Sequence, residues 1–163
     1  MTKESPKTVR MNGRLYQMMQ VENDDGSTHH VIVPFHVELT ARDLMQILAG
    51  AALFALPMVF TGEVWDLGSE LPFANILTLT LFSLAIVAIF VYATVYRDHL
   101  HSHRSEYIQR VLATYLISIL ISAILLTLLD RAPWRAELAL AVKRTLIVAF
   151  PSSMSAAIGD NLS

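Results

Sequence analysis

The chain has no cysteine, which excludes disulfides, thiolate metal sites and cysteine nucleophiles. Charge is also scarce. Asp, Glu, Lys and Arg together make up 16% of the residues, against roughly a quarter in a soluble domain. The scarcity is concentrated: almost no charge falls within 44–62, 71–96 or 111–129. Such gaps argue for membrane more strongly than any average. A basic excess is missing as well. Net charge is −2 with the six histidines neutral, so nothing points to a nucleic-acid partner. No G-x-S-x-G, Walker or G-x-G-x-x-G sequence occurs; neither an enzyme nor a bound cofactor is expected. The N-terminal stretch MTKESPKTVR is polar, and the first apolar run begins near Leu44. A secretory signal places its apolar region within roughly the first 15–30 residues, so the first transmembrane helix is expected to direct insertion.

What remains is apolar: 54% of residues are hydrophobic and mean hydropathy is +0.49. Leu44 to Phe60 contains only Gln46 as a strongly polar residue, and Pro72 to Tyr96 carries no charge. A third run extends from Tyr107 to Leu129, with Arg110 near its start. At about 1.5 Å per helical residue, each run and its flanks cross a hydrocarbon core of about 30 Å. A fourth segment, 136–160, includes Lys143, Arg144 and Pro151. Entering the membrane at Pro133 would set its two cations about 15 Å deep, where they need partners or must snorkel. A tilted, Pro-kinked crossing is expected, with an interfacial helix or a re-entrant hairpin as alternatives. The reading is therefore an all-α membrane protein: a bundle of four transmembrane helices (about 43–66, 72–96, 107–129 and 136–160) over residues 41–163. Counting Arg42, Arg97, Arg104 and Arg110 against an acidic first loop puts both termini on the cytoplasmic side.

Residues 1–40 form a separate arm. Residues 1–12 are polar and aperiodic, and read as disordered. Residues 14–22 and 28–33 alternate around Asp25-Gly26, a favoured turn pair, and predict a β-hairpin ended by Pro34. An isolated hairpin is marginal in water, so a protein partner for this arm is expected.

Candidate site residues cluster near the helix ends. Glu63 and Asp66 share a helix face beside Trp65 and suit a ring of carboxylates at a cation pore mouth, were several copies to assemble. Asp160 follows Pro151 by nine residues, as Asp66 follows Pro57; carboxylates near broken helices hold ions in transporters. Lys143 and Arg144 are the matching intramembrane cations, with Glu63 and Asp66 as their nearest expected partners. The plainer account of these charges is an ordinary membrane boundary. Ser152, Ser153 and Ser155 could hydrogen-bond across helices or line a polar path, and close helix packing is their plainer account. His99, His101 and His103 alternate in the second loop, and His99 with His103 could hold a metal given further ligands; a solvated loop titrating near neutrality is the simpler account.

The pattern Leu56-Pro57, Thr61 and Glu63-Val64-Trp65, over residues 52–71 and with the helix layout, resembles an uncharacterised prokaryotic family of integral membrane proteins. The resemblance implies a multi-pass protein of the bacterial inner membrane and transfers no functional residue. The leading expectation is a small homo-oligomeric channel or transporter for cations or protons in the lipid bilayer. The alternative is a membrane-anchored accessory or assembly protein that binds its partner through the arm.

Overall fold

In the computed structural model the described residues are the strand backbones 7–11, 14–22 and 28–34, and the segments 39–97 and 103–160. The chain divides into two units, Met1–Leu39 and Thr40–Ser163. In the first, β1 (Lys7–Met11), β2 (Arg14–Glu22) and β3 (Thr28–Pro34) form an antiparallel sheet in the order β1-β2-β3. Met11 pairs with Arg14, and Glu22 with Thr28. Lys7–Met11 falls in the stretch read as disordered. In the sequence, Asn12-Gly13 is a favoured hairpin pair of the same kind as Asp25-Gly26, a signal from which the extra strand could have been expected.

The second unit is helical among its described residues: α1 (Ala41–Val59), α2 (Gly62–Glu70), α3 (Phe73–Val91), a π-helical turn at Tyr92–Tyr96, α4 (Arg104–Leu128) and α5 (Leu138–Asp160). Thr40 and Asp43 start α1 with a reciprocal capping box: Asp43 N–H donates to Thr40 Oγ1 and Thr40 N–H to Asp43 Oδ2. Such a box satisfies two backbone donors that no helical turn can reach. The expected helix 43–66 is in fact two. Pro57 lies in the last turn of α1, and Thr61 Oγ1 donates back to the Met58 carbonyl, which closes α1 before α2 begins. At the other end of the chain, α4 stops where Asp130 adopts φ 54° and Arg131 N–H reaches the Leu126 carbonyl at 2.8 Å. That is the hydrogen bond of a Schellman motif.

Helices α1 and α4 run the same way, and α3 and α5 return against them: Gly50–Ser155 and Gly159–Gln46 set α5 against α1, Tyr107–Ala88 and Tyr115–Thr80 set α3 against α4, and Arg110–Asp160 with Arg144–Arg131 sets α5 against α4. The end holding the α1 N-terminus is called proximal here, and the end holding α2 distal. α5 is the axis: α1, α2, α3 and α4 all pack on it. Its buried positions are mostly small, among them Ala141, Ala149, Ser152, Ser153, Ala156 and Ala157. Small residues let backbones approach. A Cβ placed on Gly50 would sit 2.7 Å from the Ser155 carbonyl oxygen, and one on Gly159 3.0 Å from that of Gln46.

The surface is inverted relative to a soluble bundle. On α4, Ser118 and Ser122 are fully buried while Leu116 and Leu120 are 61% and 57% exposed. On α3, Ser83 is buried while Leu81 and Ile89 face outward. Hydroxyls inside and large aliphatics outside suit a hydrocarbon solvent. Three helices are long and apolar enough to cross it: Ala41–Val59, Phe73–Tyr96 and Arg104–Leu128. α5 is 23 residues long but is not one of the three, because Lys143, Arg144, Asp160 and its hydroxyl residues lower its hydropathy. A helix encased by four neighbours has no need of an apolar surface.

Candidate functional site

The polar centre of the bundle is an arginine held between two carboxylates. Arg110, in the first turns of α4, is 4% exposed. Its Nη1 donates to Asp160 Oδ2 at 2.8 Å and its Nη2 to Asp43 Oδ2 at 3.1 Å. Three helices thus meet on one guanidinium, whose fixed fork suits two acceptors better than an ammonium does. Asp43 Oδ2 also takes the Thr40 N–H, so the cap of α1 and the ion pair share an oxygen. Tyr96, fully buried at the end of the π-helical turn, interacts with Arg110 and stands edge-on to Tyr107 with ring centres 5.4 Å apart. Two buried oxygens, Asp160 Oδ1 and Gln46 Oε1, have no hydrogen-bond partner among the described residues. Buried polar atoms are satisfied in nine cases of ten or more.

From this centre a file of hydroxyls runs into the bundle. Arg110, Thr114, Ser118 and Ser122 occur at intervals of four, all buried, along about 18 Å of α4. Each hydroxyl donates to the carbonyl one turn back, at 2.7–2.8 Å. On α5, Ser152 donates to the Ala51 carbonyl of α1 at 3.0 Å, and the Ser153 and Ser83 hydroxyls lie 2.8 Å apart. Thr145 continues the buried polar positions toward the distal end.

The distal end is organised differently from the sequence expectation. Glu63 and Asp66 are exposed on α2, and among the described residues neither pairs with Lys143 or Arg144. The cations instead donate to backbone carbonyls of α2, its C-cap and the turn after α4. Lys143 Nζ donates to the Leu71 carbonyl at 2.6 Å. Arg144 donates through Nε and Nη2 to the Trp65 carbonyl and through Nη1 to that of Arg131. Arg131 stacks 3.9 Å from the centre of the Trp65 ring. α5 begins at Leu138, so both cations lie about 8 Å along it, rather than the 15 Å expected from entry at Pro133. The buried counter-charge is Arg110. Of the loop histidines, His99 and His101 lie outside the described residues; His103 Nδ1 is 3.8 Å from Glu106 Oε1, and the described residues contain no group of ligands able to hold a metal.

Of the charged residues singled out from sequence, Asp160 alone belongs to the Arg110 network; Ser152, Ser153 and Ser155 are buried along α5. Arg110, Asp43, Gln46 and Tyr96 were missed as site residues. The four-residue spacing from Arg110 to Ser122 was the available signal, because it stacks polar groups on one helix face.

Fold and surface together define a multi-pass integral membrane protein. The chain belongs to the family described as "Putative integral membrane protein (DUF2391)", whose model matches residues 17–160. No curated protein and no solved structure matches the chain. The family description gives a location and no activity.

Proposed function

We propose that this protein is a small-cation transporter, protons included, with the Asp43–Arg110–Asp160 network as its ion site. The observation that carries the reading is the charge balance at that site: two carboxylates share one guanidinium inside the bundle. Ionised, the site is net negative and largely removed from water, which is costly beside hydrocarbon and favours uptake of one positive charge. The file of buried hydroxyls on α4 and α5 supports a polar path leading from it. In this reading α5 crosses the membrane as a fourth span within its protein sheath. Both termini face the cytoplasm of a prokaryotic cell, and Glu63 and Asp66 draw cations to the distal mouth. Copies of the chain assemble through the apolar outer faces of α1, α3 and α4.

The test is flux into liposomes carrying the purified protein and a pH-sensitive dye, with an imposed ion gradient. Flux above that of empty vesicles, lost in Asp160→Asn and kept in Glu106→Gln, supports the proposal. Vesicles no leakier than empty ones remove it.

The second reading is an accessory protein, favoured by the separate unit Met1–Leu39 with its two outer strands, β1 and β3. An edge strand is a template for strand addition by a partner. Deleting residues 1–39 should abolish partner capture in that case and leave flux unchanged in the first.

A further inference from the structure

We infer that Asp160 is the proton-binding residue of this protein, holding its proton on Oδ1 as a donor toward Gln46 Oε1. The inference rests on the transport reading and names its cargo and carrier. Asp160 is 3% exposed, and its Oδ2 is committed to Arg110. Its Oδ1 and the Gln46 Oε1 are both buried acceptors with no donor among the described residues. Two acceptors cannot satisfy one another, and burying a polar atom without a partner is unfavourable. One added hydrogen on Oδ1 supplies the missing donor for both.

The helices place the two residues at one crossing. Gly159, next to Asp160, lies against α1 so closely that a Cβ there would be 3.0 Å from the Gln46 carbonyl oxygen and 3.3 Å from the Gly50 Cα. Gln46 stands one turn along α1 from Asp43, which completes the loop through Arg110 back to Asp160.

Charge points the same way. Among the described residues, the groups facing Asp160 are Arg110 of α4, Asp43 of α1 and Tyr96 at the end of the π-helical turn; Glu106 of α4 lies further out, held by Ser105 and beside His103. Among the described residues of this network, one cation and two carboxylates leave a net negative charge. A single proton makes the network neutral, with Arg110 and Asp43 remaining as the ion pair. Asp43 is the less suited carrier, because its carboxylate is 13% exposed and its Oδ2 already accepts from both Thr40 N–H and Arg110. The step balances simply: the carboxylate takes a proton from hydronium at the proximal end, giving the carboxylic acid and water, with no other bond changed.

Infrared pH-difference spectroscopy of the full chain in lipid bilayers tests this directly. A protonated-carboxyl carbonyl band is expected, shifting when the protein carries isotope-labelled aspartate. It should be lost in Asp160→Asn, moved in Gln46→Leu and unchanged in Glu63→Gln. Should Asp160→Asn fail to fold, the isotope shift and Gln46→Leu still decide. The inference is overturned by the absence of an aspartic-acid band at every pH where the protein stays folded, or by a band that survives in Asp160→Asn. It is equally overturned if, with no band present, Na⁺ in place of choline raises the melting temperature in wild type and not in Asp160→Asn, which makes the occupant a metal cation. Band and flux are separable: a band without proton flux keeps the proton site and removes transport, whereas flux without a band does the reverse.

Discussion

At the scale of single residues, two positions bear most of the fold's specificity. Arg110 is the only link seen between the carboxylates of α1 and α5 among the described residues. Removing one partner of a buried ion pair strands the others, at a cost of about 3–5 kcal/mol. Arg110→Met is therefore expected to lower the melting temperature in detergent far more than Asp43→Asn, whose site is partly open and whose amide can still cap α1. Equal stability of wild type and Arg110→Met would mean that the pair does not form in the protein as purified. Gly50 and Gly62 make a matched contrast. A methyl on Gly50 meets the Ser155 carbonyl at 2.7 Å and the Ala156 Cα at 3.0 Å, both backbone, whereas one on Gly62 meets nothing within 4 Å. Backbone cannot rotate away as a side chain can, so Gly50→Ala should cost about 1–3 kcal/mol. Gly62→Ala should be neutral or slightly stabilising, since alanine is the better helix former. Thermal unfolding of the two variants side by side checks both, and a Gly50→Ala protein as stable as Gly62→Ala would contradict the close α1–α5 crossing.

At the scale of elements, α2 is the short helix whose attachment is easiest to undo. It is nine residues long and is tied to α5 largely by Arg144, which reaches the Trp65 carbonyl and lies across Gly68. Arg144→Met removes those bonds while keeping much of the side-chain bulk. Backbone hydrogen exchange should then rise across Gly62–Glu70 and stay low in the middle of α4; unchanged protection of α2 would show that Trp65 and its bond to the Val59 carbonyl suffice. The same elements show what was legible beforehand. α3 and α4 stand out in the sequence because their outer faces meet lipid, so an uninterrupted apolar run records their length. α5 was harder to place for the opposite reason: its environment is protein, and hydropathy does not report a helix wrapped by others. The α1–α2 break escaped because Val64 and Trp65 extend the apolar pattern past Phe60, although Pro57, Thr61 and Gly62 mark the stop. Asp160 was found from its position after Pro151, but its partner was sought at the wrong end. Sequence spacing gives neighbours within a helix, and it took the antiparallel pairing of α1 with α5, and the parallel run of α1 with α4, to bring residues 43, 110 and 160 together.

At the scale of the whole molecule, the proposed reading has α5 cross with the other three helices, and packing supports it. Ser152 touches the Ala51 carbonyl, Ser153 touches Ser83 and Asp160 reaches Arg110. These contacts are spread along the middle and proximal half of the bundle, while Arg144 grips Trp65 and Arg131 at its distal end. A helix lying in the interface would have to give up the first group to keep the second. Twenty-three residues extend about 34 Å, enough for a core of about 30 Å. Four crossings return the chain to its starting side, whereas three leave the termini on opposite sides. The absence of cysteine makes this measurable with single introduced thiols in sealed, oriented vesicles and a membrane-impermeant maleimide. Arg42→Cys, at the proximal end, and Glu63→Cys, at the distal end, are expected to label from opposite faces. A cysteine appended after Ser163 should label with Arg42→Cys. If the appended thiol labels with Glu63→Cys instead, α5 does not cross, and the Arg110–Asp160 pair, with the proton site built on it, cannot persist in the membrane.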